Sequence, residues 1–139
     1  MRHAVPLPKV VELRGVVPEN WEYRSYRMTQ NDLFSVNFAQ MMTDHVYIHT
    51  IIPTGPGTCI SLCMMLIPET PKTDKAERYC AKNYDLIRSV FEEDFVIGEG
   101  IQNGFAAHAN AELLFGKFAC GLQFGQKSID EAVAGRLTV

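Results

Sequence analysis

From Thr73 to Ala107 the chain contains no proline, and its apolar residues recur at the period of an α-helix. Wound at about 100° per residue, this run places Ile87, Val90, Phe91, Ile97, Gly98, Ile101 and Phe105 on one stripe. Asp94 falls in the middle of that stripe. Glu92 and Glu99 point roughly the opposite way and Glu93 lies on the flank, which makes them solvated acids. Lys72 to Asp74 open this helix, just after Pro68 and Pro71.

Upstream the pattern changes to that of strands. Residues 1–20 carry Pro6, Pro8 and Pro18 around KVVELRGVV, which predicts a short edge strand between loops. WEYRSYRM, Trp21 to Met28, alternates aromatic and charged residues as a strand with one wet face would. Gln30-Asn31-Asp32 signals a turn, and Leu33 to Met42 reads as the next strand. HVYIHTIIP is the clearest strand, with Val46, Ile48 and Ile52 forming an apolar face. Pro53 to Gly57 makes a tight connection into TCISLCMMLIP, a near-continuously apolar strand expected to be covered on both faces. At the other end, SIDEAVAGRL predicts a final helix with Ser128 as N-cap and Glu131 at capping-box spacing. Strands followed by one long helix define an α+β domain.

Composition narrows the class. At 139 residues the chain is one domain or less, and its 47% hydrophobic content suits a globular protein. A net charge of −3 with no basic block argues against nucleic acid as a partner. No apolar run reaches membrane-spanning length, and MRHAVPLPKV lacks the apolar core of a signal peptide. Cys59, Cys63, Cys80 and Cys120 lie scattered in apolar surroundings, as reduced, buried thiols of a cytoplasmic protein would.

The candidate chemistry centres on Asp94. An unpaired carboxylate facing a core would cost several kcal/mol. A metal ion, an arginine or a histidine is therefore expected to meet it, unless it serves as a structural ion pair or an acceptor of N–H groups. Gly98 on the same face would let another element or an ion come close, or would simply be a packing or kink glycine. The chain offers no local histidine pair. His45 and His49 stand about 13 Å apart on a strand, too far for one ion, and are read as solvated or packed. His108 would share the stripe of Asp94 only at about 21 Å along the axis. His3 lies in a loose terminus.

The order DHVYIHTIIPTGPG, an apolar strand ending in proline, and then EEDFVIGEGIQNG on a helix resembles a known family. It is similar to the C-terminal part of the catalytic domain of Rieske non-haem iron aromatic-ring-hydroxylating oxygenase α subunits. There a strand running into Pro-x-Gly-Pro precedes a helix bearing Asp, then Gln eight residues on, then Gly. Asp94, Gln102 and Gly104 match, and the closing GLQFGQKSIDEA is similar to the end of these domains. The resemblance covers residues 20–136. It implies a partial helix-grip, or Bet v 1-like, fold in which an antiparallel sheet is packed by a long C-terminal helix. It also implies that Asp94 is the carboxylate of a 2-His-1-carboxylate site for Fe(II), beside a pocket for an aromatic substrate.

The family's Cys-x-His and Cys-x-x-His, which hold a 2Fe–2S cluster, do not occur here, so no cluster and no Rieske domain are expected. The Asp-x-x-His-x-x-x-x-His segment carrying the two iron histidines is also missing. Near the end, Ala119 and Gly125 stand where many members carry a glutamate and a histidine. Residues 1–139 are thus expected to be a single partial catalytic domain of a dioxygenase-type oxidoreductase of aromatic catabolism. Fe(II) would be held only with histidines from a companion chain that also brings the Rieske domain, in an oligomer. The alternative is a non-catalytic helix-grip module that binds a hydrophobic ligand or serves as a scaffold. A half-domain expressed alone would expose apolar surface and self-associate.

Overall fold

The computed structural model describes residues 2–33, 37–109, 112 and 114–136. Five antiparallel strands in the order β1-β2-β3-β4-β5 form one sheet, and two helices follow. The strands are β1 (Arg2–Pro6), β2 (Arg27–Leu33), β3 (Asn37–Met41), β4 (Val46–Gly55) and β5 (Thr58–Leu66). The helices are α1 (Asp74–Ala106) and α2 (Cys120–Val133). This is the expected α+β class, with the strand meander and long helix of a Bet v 1-like domain. Two compact units divide it: Glu69–Gly116 holds α1, and Met1–Pro68 with Lys117–Val139 holds the sheet and α2.

Hairpin β4–β5 is the longest pairing, in register from Val46 opposite Leu66 to Gly55 opposite Thr58, with an irregularity between Pro53 and Gly55. Pro53, which has no N–H to donate, sits at the irregularity in the β4–β5 register, where a proline is tolerated. Gly55 relieves a close approach. A Cβ there would lie 3.0 Å from Oγ1 of Thr58, which already accepts a hydrogen bond from the Thr54 hydroxyl at 3.0 Å.

Several expected boundaries move. KVVELRGVV is not a strand: Pro8–Gly15 winds as a 3-10 helix, because Pro8 presets its first turn and Arg2–Pro6 takes the sheet edge instead. In Trp21 to Met28, Tyr23–Tyr26 forms a 3-10 turn whose rings lie beside cations, with Lys9 over Tyr26 and Arg27 over Tyr23. Gln30-Asn31-Asp32 lies inside β2 rather than at a turn. A cross-strand polar ladder outweighs the turn propensity of these residues: Gln40 donates to Gln30 (3.4 Å), Gln30 donates to Asp32 (2.9 Å), and His3 pairs with Asp32 (2.9 Å). The first residues of the strand expected from Leu33 lie partly in 34–36, outside the described residues. Ser128 does not cap a helix. It sits inside α2, where its hydroxyl donates to the Phe124 carbonyl at 2.9 Å, bonding back to the preceding turn.

The expected apolar face of β4 exists, but it is not the covered one. Tyr47 and His49, at the odd positions, are buried, whereas Ile52 is exposed. Directly opposed residues share a face, so Val46, Ile48 and Ile52 lie with Leu66, Met64 and Ile60 of β5. Ile60, Leu62, Met64 and Leu66 are exposed, and no residue of β5 is buried, contrary to the expected double cover. Strand β5 is also an edge without a single charged residue. The chain alone is therefore expected to self-associate, and Leu62→Lys to shift its sedimentation toward the monomer. Unchanged association in that variant would contradict this.

Candidate functional site

Helix α1 begins where Thr73 accepts a hydrogen bond from the Ala76 amide at 3.2 Å, with Asp74 and Glu77 in the favourable first turn. It runs unbroken through Gly98 and Gly100, despite a cost of about 1 kcal/mol for each glycine relative to alanine. It therefore carries Asp94, Gln102 and Gly104 on one rigid element. Within its own unit, a Cβ at Gly98 would meet nothing within 4 Å. The helix stops at Ala106, and His108 takes a left-handed backbone with φ 54°, off the stripe of Asp94.

The run is helical as predicted, and Phe91 of the stripe stacks on Phe95, a residue not counted in it, at 5.8 Å between ring centroids. The stripe is not buried. None of the 33 residues of α1 is buried, and Val90, Ile97 and Ile101 are exposed. Asp94 is exposed as well and has no hydrogen bond or ion pair among the described residues. Periodicity defines a face of a helix, and within the unit Glu69–Gly116 no described residue covers that face. Among the described residues no three His, Cys, Asp or Glu come together to hold a metal ion.

The histidines of β4 and its approach are packed. His49 is 1% exposed, stacks on Phe38 at 4.3 Å between ring centres, and lies 3.9 Å from the Cys63 sulfur. Burial lowers the His49 pKa below 6.5 and raises that of the Cys63 thiol, so the pair is neutral rather than an activated thiolate. Because protonation of His49 is opposed in the folded state, the unfolded chain binds more protons below pH 6.5. Stability is expected to be fully present above that pH and to fall as pH drops through it, levelling off below the lowered pKa. His49→Leu should flatten this acid slope in denaturant titrations at several pH values, and an unchanged slope would contradict it.

His45 is 8% exposed, and its Nδ1 lies 2.7 Å from an Asp44 carboxylate oxygen. Sequence reasoning did not single out this pair or the burial of Tyr47. The available signal was the alternation His45-x-Tyr47-x-His49, which places three rings on one side of the strand.

A meander of antiparallel strands with one long helix, bearing an acid on its apolar stripe, is the framework of a helix-grip domain. The sequence matches the family "Ring hydroxylating alpha subunit (catalytic domain)" over residues 7–135, and the chain belongs to that family. No curated protein and no solved structure matches it. The chain is thus a portion of a ring-hydroxylase catalytic domain. No helix among its described residues is long and apolar enough to cross a membrane.

Proposed function

We propose that this chain supplies the carboxylate side of a ferrous site, and part of the substrate pocket, in an aromatic-ring-hydroxylating oxygenase. The observation that carries this reading is family membership over residues 7–135 together with Asp94, Gln102 and Gly104 at the family spacing on one uninterrupted helix. The described residues alone do not fit the metal, since one carboxylate is not a facial triad. Two histidines and the electron-donating Rieske domain must come from sequence outside them, in an oligomer with a companion polypeptide. In that assembly Asp94 presents a carboxylate with no competing partner. Each unit, taken by itself, carries an apolar face that the complete domain would cover: the stripe of α1 in one and the Val46–Ile48–Ile52 face in the other.

The test is co-expression with a segment bearing the two histidines and the Rieske motif, followed by an assay of naphthalene hydroxylation. Product from the pair and from neither part alone is expected. Equal product from the companion alone would remove this chain from the reaction. The exposed apolar sheet face also favours a second reading, a module that binds a hydrophobic ligand without chemistry. That reading predicts a rise in melting temperature of the isolated chain with apolar ligands.

A further inference from the structure

The two edges of the sheet differ in kind. β1 has five residues, carries Arg2 and His3 and ends at Pro6, so it is a short, charged edge closed by a proline. Such an edge resists pairing with a further strand. β5, at the opposite edge, has none of these features. It runs for nine residues, Thr58–Leu66, without a charge or a proline. Its register on β4 is regular from Cys59 opposite Pro53 to Leu66 opposite Val46, so no bulge twists it away. Among the described residues no strand pairs with its outer side. A row of backbone N–H and C=O groups is left there as a template for one more strand.

The side chains of β5 select that strand. Being uncharged, β5 meets no like charge when it lies antiparallel to itself. Ile60, Leu62, Met64 and Leu66 are exposed and share one side, whereas Val46 and Ile48 beside them on β4 are half-buried. A two-fold axis through the central residue sets Leu62 opposite Leu62 of a second copy, Ile60 opposite its Met64 and Thr58 opposite its Leu66. All the apolar positions then stay on one side of the joined sheet. A slip of one residue would turn them to opposite sides, so the pattern also fixes the register.

We propose that β5 is a dimer edge: two copies of this chain join their sheets antiparallel through Thr58–Leu66, about a two-fold axis at Leu62. The contact involves neither Asp94 nor iron and stands independently of the oxygenase reading.

The test maps disulfide cross-links in the intact chain, alone and again with the histidine-bearing companion. Leu62→Cys sets two thiols directly opposite one another across the axis, within reach of a disulfide. Mass spectrometry is expected to find that link and to separate it from links through Cys59 and Cys63. Ile52→Cys is the control for sheets stacked face to face. It lies on the same side but on β4, so the joined edge holds its two copies at least about 14 Å apart, three strand spacings, and no link is expected. Ser61→Lys is read by sedimentation. Ser61 is exposed on the other side, so the apolar face is untouched, while the two introduced charges stand diagonally about 7–8 Å apart. A rise of about fivefold in the dimer dissociation constant is expected, the upper worth of a like-charge cross-strand pair. If Ser61→Lys fails to fold by circular dichroism, the two cross-linking variants decide. A monomeric wild-type chain, equal linking through Ile52→Cys, or unchanged association of folded Ser61→Lys would overturn the proposal. So would a Leu62→Cys link that disappears when the companion is added, since the edge would then belong to a strand of the companion.

Discussion

In the completed catalytic domain, Asp94→Ala is expected to lower iron affinity by at least about 100-fold and to abolish hydroxylation. Partners that merely orient a metal ligand are worth about 10–100-fold, so removal of the ligand itself should cost no less. The same substitution should leave the fold alone. Asp94 is exposed and makes no hydrogen bond or ion pair among the described residues, so its loss breaks nothing that the chain itself has built. That contrast separates a functional carboxylate from a structural one. Metal binding and product formation should fall, while circular dichroism and the melting temperature stay where they were. If Asp94→Ala lowered the melting temperature of the isolated chain, a structural ion pair would be the better account of this residue.

The second large effect concerns stability. Tyr47→Ala is expected to destabilise the sheet by about 3 kcal/mol, the lower end of the range for deleting a buried aromatic ring. Tyr47 is 4% exposed, with its ring 4.7 Å from that of His45 and 6.2 Å from that of His49. It lies opposite Gln40 on one side and Met65 on the other, so its ring ties β4 to both neighbouring strands. Only two hydrophobic residues, Leu13 and Tyr47, are buried among those described. A core this small has little else to absorb the cavity. Tyr47→Phe, which keeps the ring, should cost about 1 kcal/mol at most. Urea unfolding followed by circular dichroism would measure both. A loss below about 1 kcal/mol for the alanine variant would show that the three-ring row is not the centre of the sheet.

The elements with one strong local cause were legible in the sequence. A proline-free run at helical period became α1, capped by Thr73. The β-branched stretch bounded by the Pro-Thr-Gly-Pro-Gly turn became the β4–β5 hairpin. What failed had two causes, partners far along the chain and a helix boundary set upstream. The Gln30-Asn31-Asp32 segment carries turn residues, yet His3 and Gln40 hold it in a strand from either side. Ser128 has capping-box spacing, but its hydroxyl bonds back to Phe124 within a helix that had already begun at Cys120.

Burial was the least legible quantity, and for a physical reason. The period of a pattern identifies which face of an element is apolar, not whether atoms cover it. Both the stripe of α1 and the Val46–Ile48–Ile52 face of β4 have the predicted chemistry, and both keep exposed members. Asp94 was singled out by residues on its own helix, and the two histidines that the proposal requires are not among those brought near it in the described residues.

The central claim is most directly tested by equilibrium dialysis of ferrous iron against the purified pair of this chain and a companion bearing the two histidines. The wild-type pair should retain stoichiometric iron, and the pair carrying Asp94→Asn should lose it, with both pairs still associated by gel filtration. Equal iron in the two pairs would contradict the assignment of Asp94 as the ligand.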